Sequence, residues 1–237
     1  ATGANDFLAK PFAPYELRAR VKTLLVMKSS AEEAVASHIK FLQAQIKPHF
    51  LYNALNTILS FSLEDPEKTY QLLLHLSNYL RGSFTFNERE SIVSLRQELE
   101  LTEAYLAIEK ARFEDRLQTK MVCETQVDVD IPLLVLQPLV ENAVRHGVLK
   151  QKHGGTVTIR IGQTEGYVVI SVEDDGVGIP PEQLETLLDD GVHTAGIGLR
   201  NIHKRLMRVY GHGLEMTSEL GKGTKITIRI PLQESQS

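Results

Sequence analysis

The feature that most limits the fold is a change of hydrophobic period at Asp115. Before it, apolar residues recur three and four apart, as on one face of a helix. After it, they alternate or gather in short β-branched runs, as in strands. Val35, Ile39, Leu42 and Ile46 form a coiled-coil seam within a helical pattern running from 31 to 63. Asp65-Pro66 interrupts that pattern, and proline suits the first turn of the next helix. This second helix carries Tyr70, Leu73, Leu74, Leu76 and Leu80 and is expected to reach about Phe84. After a polar break at Asn87–Ser91, Ser94-Leu-Arg-Gln97 has the form of a capping box and opens a third helix, to about Phe113.

Downstream, the pattern predicts a strand over Leu117–Glu124 and a helix over Pro132–Gly147. Thr156–Ile161 and Tyr167–Val172 are β-branched runs joined through Thr164-Glu165-Gly166 as a hairpin. Helices are expected over Pro181–Leu188 and Leu199–Val209, and a closing hairpin from Leu214–Ser218 and Thr224–Ile230. The fold class is therefore α+β, a helical hairpin followed by an α/β sandwich.

The chain has 237 residues, enough for one or two domains with real cores. Its net charge of −4 gives no global attraction to nucleic acid or to an anionic membrane. The single cysteine, Cys123, excludes an internal disulfide and a cysteine-rich metal site, and is expected to be a buried thiol in a reducing cytoplasm. A membrane span needs roughly 20 apolar residues. The best run, Ile131–Val140, is shorter and holds Gln137 and two prolines. The sequence opens Ala-Thr-Gly without an initiator Met and is expected to be cut from a longer protein, so membrane attachment is expected only through other parts of that protein.

Three segments carry chemistry. In Val172-Glu-Asp174-Asp-Gly176-Val-Gly178-Ile179 a strand delivers an aspartate and then two glycines. The carboxylate can accept a hydrogen bond from an exocyclic amine, and the glycines let a ligand come close to the backbone. Alone, this is also what an acidic turn looks like. A calcium loop fails, because Ser171 and Glu173 stand where aspartate or asparagine belongs. Gly196-Ile-Gly198-Leu199 opens a helix whose N-terminal N–H groups would attract phosphate, and Pro180–Ala195 between the glycine pairs is long enough for a lid. Gly221-Lys-Gly223-Thr224 precedes a strand and lacks the Gly-Lys-Ser/Thr ending, so it is not a P-loop. On the helix before these, Glu141, Asn142, Arg145 and His146 cluster on one side.

In this order the three segments resemble the N, G1 and G2 boxes of the Bergerat ATP-binding fold, shared by gyrase, heat-shock chaperones, mismatch-repair ATPases and histidine kinases. The resemblance implies that Asp174 binds adenine and Asn142 holds Mg²⁺. It also implies that Arg145 and His146 meet phosphate or ribose, and that Gly176, Gly178, Gly196, Gly198 and Leu199 shape the nucleotide site and its lid. ATP and Mg²⁺ are the expected cofactors.

Gln45, His49, Asn53, Asn56 and Ser60 make one uncharged polar stripe on the long helix, with Leu51, Leu55, Ile58 and Leu59 as an opposing apolar stripe. A lone histidine in such a helix is ordinarily a packed core residue. However, Gln-Ile-Lys-Pro48-His49-Phe50-Leu-Tyr-Asn53-Ala-Leu-Asn56 resembles the phosphoacceptor box of LytS/YehU-like sensor histidine kinases, a likeness extending over roughly residues 38–232. It implies that His49 takes the γ-phosphoryl group of ATP, in a homodimer whose paired hairpins form a four-helix bundle, and passes it to an aspartate on a separate response-regulator receiver domain. Asn53, one turn on, could bond the phosphoryl group or orient a hydrolytic water. Many histidine kinases have a carboxylate directly after the histidine; here Phe50 stands there, so no general base is assigned. Pro48 removes a backbone donor and would loosen the helix ahead of His49.

Gly3-Ala-Asn-Asp-Phe-Leu-Ala-Lys10-Pro11-Phe12 and the amphipathic stretch after it resemble the end of a receiver domain, without its phosphorylatable aspartate. The expected layout is a receiver fragment over 1–28, a helical dimerisation and phosphotransfer region over 29–92, an ATP-binding domain over 93–233 and a tail over 234–237. The rivals are a conformational ATPase that releases phosphate and a nucleotide-binding scaffold without turnover.

Overall fold

The computed structural model describes residues 48–85, 92–124, 129–164, 166–188 and 197–232, together with five positions nearer the N-terminus. Those five, Tyr15, Arg18, Lys22, Thr23 and Leu25, are helical and exposed. They belong to a separate compact unit from Pro48–Ser237. The coiled-coil seam, Gln45, Lys10 and the junction between the receiver-like fragment and the long helix lie outside the described residues.

In the larger unit, α1 (Pro48–Phe61) and α2 (Pro66–Thr85) are followed by the short β1 (Ile92–Ser94) and by α3 (Leu95–Phe113). Asp65 accepts the Lys68 N–H at 2.9 Å and caps α2. The predicted capping box is present: Ser94 Oγ accepts the Gln97 N–H at 3.3 Å, and Gln97 Oε1 accepts the Ser94 N–H at 3.1 Å.

The seam of α1 differs from the expected stripe. Its buried residues are Phe50, Ala54, Thr57 and Ile58, while Leu55 and Leu59 are 41% and 66% exposed. The helix turns Phe50 and the small Ala54 inward, leaving Tyr52, Leu55 and Leu59, and Leu63 in the following turn, exposed.

Five strands form the main sheet: β2 (Leu117–Cys123), β4 (Gly155–Thr164), β5 (Tyr167–Asp174), β6 (Glu215–Glu219) and β7 (Gly223–Pro231), in the order β2-β4-β5-β7-β6. Only β2 and β4 run parallel. Alternation decides the faces. Val157, Ile159 and Ile161, Val168, Ile170 and Val172, and Ile226, Ile228 and Ile230 are buried together with Leu136, Leu139 and Val140 of α4 (Leu136–Asn142) and Leu199, Ile202 and Leu206 of α6 (Ile197–Tyr210). The other face carries charge pairs, among them Lys225–Glu173 at 2.9 Å and Arg229–Glu215 at 2.9 Å. The short helix α5 (Pro181–Thr186) follows β5. Cys123 is exposed rather than buried, because it ends the edge strand β2.

The predicted helix over Pro132–Gly147 divides into three pieces. Pro132 ends β3 (Asp130–Pro132), which pairs antiparallel with β1. Leu134 takes a positive φ of 54°, and α4 begins only at Leu136. Beyond Asn142, residues Ala143–Gly147 widen into a π turn, a form often found at functional sites. The start of α4 is held from a distance: the fully buried Glu98 of α3 accepts the N–H groups of Leu134, Val135 and Leu136. Its carboxyl is pushed up by burial, against the pull of these bonds. Replacing Glu98 with Ala strands three donors, each costing roughly 1–3 kcal/mol. We expect Glu98→Ala to lose about 3 kcal/mol or more in urea unfolding; a loss below about 1 kcal/mol would contradict this role.

Candidate nucleotide cleft and phosphoacceptor

A cleft of about 550 Å³ opens between α4, the end of β5, α5 and the start of α6. Asn142, His146, Asp174, Gly178, Gly198 and Leu199 line it, six of the residues expected at a nucleotide site. Its apolar walls include Leu139, Ala143, Val172, Ile179, Met216 and Ile226. Gly196 lies outside the described residues.

Asp174 is the last residue of β5, so the strand itself aims it. Its Oδ1 accepts the Gly176 N–H at 3.0 Å. A side chain on Gly147 would strike the Asp174 carboxylate, and one on Gly176 would strike the backbone of Gly147. These two glycines let the G1 loop and the end of the π turn meet around the carboxylate, so Gly176 acts behind the wall rather than in it. Gly178 has φ 70°, which a side chain would strain. The loop is also tied to the closing hairpin, since the Gly221 N–H donates to Val177 O at 2.7 Å and the Ile179 N–H donates to Ser218 Oγ at 2.8 Å. The neighbouring Asp175 does different work, accepting the Thr156 N–H at 2.6 Å.

Arg145 is not among the cleft-lining residues. Its guanidinium bonds Glu141 at 3.0 Å, one turn back on the same face, and its side chain is 47% exposed. The i, i+4 carboxylate captures it. Gly147 and Thr224 are two site residues that motif reading passed over. Thr224 lines the cleft, and its backbone amide bonds the Asp174 carboxylate. The Gly221-Lys-Gly223-Thr224 stretch, though no P-loop, is thus the turn that closes on Asp174.

His49 is exposed in the first described turn of α1. The Asn53 amide nitrogen sits 3.1 Å from its Nδ1 and 3.2 Å from its Nε2. The Thr57 hydroxyl donates to the Asn53 main-chain carbonyl at 2.9 Å. Other histidines have ordinary roles: His203 Nδ1 accepts the Leu214 N–H at 3.1 Å, and the His212 ring lies 5.8 Å from that of Tyr167.

Two family models match in tandem: "Histidine kinase" over residues 37–117, and "Histidine kinase-, DNA gyrase B-, and HSP90-like ATPase" over 127–234. The chain belongs to the histidine kinases. The sequence is 42% identical to YwpD of Bacillus subtilis (strain 168), over 98% of this chain and 84% of that protein. It is 39% identical to the sensor histidine kinase YpdA of Escherichia coli (strain K12), over 86% of this chain and 36% of that one. The sensor protein LytS of Bacillus subtilis (strain 168) is 38% identical over 84% of this chain and 34% of its own length. This histidine kinase chain therefore spans about a third of YpdA and LytS. The resemblance drawn from the phosphoacceptor and nucleotide boxes agrees with these matches.

Burial pushes the Asp174 carboxyl up to about 6; the amides of Gly176 and Thr224 pull it down, and the charge of Asp175 adds to the rise. Were Asp174 to accept from an adenine amine as a carboxylate, as the nucleotide-box resemblance implies, binding would be present above this value and lost as the pH falls through it. Affinity for adenosine, which has no group titrating in this window, should fall about tenfold from pH 7.5 to 5. Asp174→Asn should bind weakly with no such dependence. A flat profile in the parent chain would contradict the assignment.

Proposed function

We propose that this kinase phosphorylates its own His49 with ATP bound in the Asp174 cleft, and then passes the group to an aspartate of a separate response-regulator receiver. The observation that carries the reading is the convergence of Asn142, His146, Asp174 and Gly198 from three distant segments on one cleft. Asp174 would accept from the adenine amine against the apolar wall of Val172, Met216 and Ile226. The N–H groups opening α6 would face phosphate.

Asn142 fits a Mg²⁺ role, because it lines the cleft, its amide carries a neutral oxygen, and magnesium usually takes few protein oxygens, leaving the rest to phosphate and water. When bound, the ion would neutralise charge on the phosphates. In the transfer, an unprotonated imidazole nitrogen of His49 attacks the γ-phosphorus. The N–P bond forms as the bond to the β-bridging oxygen breaks, ADP leaves, and the other ring nitrogen's proton passes to solvent. Asn53, already against the ring, holds the imidazole facing outward and can bond the transferred group. In the second step the N–P bond breaks as a carboxylate oxygen of the receiver takes the phosphoryl group.

A homodimer is the arrangement we favour. Tyr52, Leu55 and Leu59 of α1 and Leu63 in the turn after it recur three and four apart and are 70%, 41%, 66% and 94% exposed, and Tyr70, Leu73 and Leu74 of α2 are exposed too. Apolar stripes of this length ordinarily face a partner. Among the described residues no helix is long and apolar enough to cross a membrane. We place the chain in the cytoplasm, where ATP is supplied, as part of a longer sensor.

Incubation with γ-labelled ATP and Mg²⁺ should give protein-bound label that is acid-labile and base-stable. His49→Gln should abolish it, and Asn142→Ala should cut it at least a hundredfold with an unchanged melting curve. Free phosphate without labelled protein would indicate a conformational ATPase instead.

A further inference from the structure

Phe50, the residue directly after His49, points into the core. It is 7% exposed, whereas His49 is exposed and Tyr52 is 70% exposed. Its ring centroid lies 4.6 Å from that of Tyr79 on α2 and 5.3 Å from that of Tyr105 on α3, both in tilted packing. The socket reaches the nucleotide helix: Gln137 Nε2 donates to the Tyr79 hydroxyl at 3.1 Å, and Gln137 stands in the first turn of α4, which ends at Asn142. Tyr105 is buried beside the carboxylates of Glu109 and Glu141, which add to the effect of burial in pushing its phenol well up.

Successive helix residues point about 100° apart. A Phe50 ring fixed inward therefore turns the His49 imidazole outward. Ala54 and Ile58 hold α1 one and two turns further on, so the rest of the helix does not depend on this ring. Phe50 cannot take a proton, so any contribution it makes is geometric.

We propose that Phe50 is a positioning residue for phosphorylation: its aromatic socket fixes the direction of the His49 imidazole and ties that direction to the helix bearing Asn142. The proposal rests on the reading of His49 as phosphoacceptor.

Phe50→Leu in the full chain keeps an apolar side chain and the Ala54–Ile58 seam but loses the ring. The turnover number for His49 labelling should fall at least tenfold while KM for ATP moves less than twofold. Amide exchange should quicken over residues 50–53 and stay unchanged further along α1. Tyr105→Phe keeps the socket's ring and should label within threefold of the parent. If the leucine variant does not fold, Phe50→Met gives the same readout. An unchanged turnover number, or a KM that rises in step with the loss, would overturn the proposal. A parent chain that takes no label on His49 would sink the phosphoacceptor reading; a labelled parent with an equally fast Phe50→Leu would sink the socket alone.

Discussion

A carboxylate held largely away from water at the end of β5 is the constraint around which the cleft is arranged. Burial raises Asp174 to about 6. The surrounding backbone must then come close enough to offer N–H groups without filling the space a ligand needs. Gly147 and Gly176 make that approach possible, since a side chain on either would collide. Gly223, at φ 104°, brings Thr224 into register with Asp174, where its amide reaches the carboxylate. The G1 loop, the end of the N box and the closing hairpin are thus mutually dependent.

A second dependence joins the helices to this lobe. Glu98 and Tyr105 both belong to α3. One caps the start of α4, and the other forms a wall of the Phe50 socket. Buried residues of α1, α2 and α3 belong to the same apolar cluster as those of the sheet. The exposed imidazole and the nucleotide cleft are therefore positioned by one core, which is why a change beside His49 can be read against ATP affinity.

Much of this was legible in the sequence because the signals are local. Alternation marks β2, β-branched runs mark β4 and β5, and Ser94 with Gln97 marks the start of α3. The G1-box resemblance points to Asp174 rather than Asp175, and of the two only Asp174 lines the cleft. What escaped depends on partners far along the chain. The pairing of β1 with β3 joins two three-residue strands, too short for any period to show. The late start of α4 follows from a carboxylate more than thirty residues away. The buried side of α1 was set by which groove α2 and α3 present, so Leu55 and Leu59 face outward and Phe50 inward. Arg145 pairs with Glu141, four residues back, and does not line the cleft.

The central claim is that the half-buried Asp174 carboxylate in this cleft reads the amine of adenine. Calorimetric titration of the chain with ATP and with inosine triphosphate, which carries an oxygen in place of that amine, tests it most directly. Accepting from the amine predicts at least a hundredfold preference for ATP, collapsing in Asp174→Asn. Equal affinity for the two nucleotides in the parent chain would contradict it.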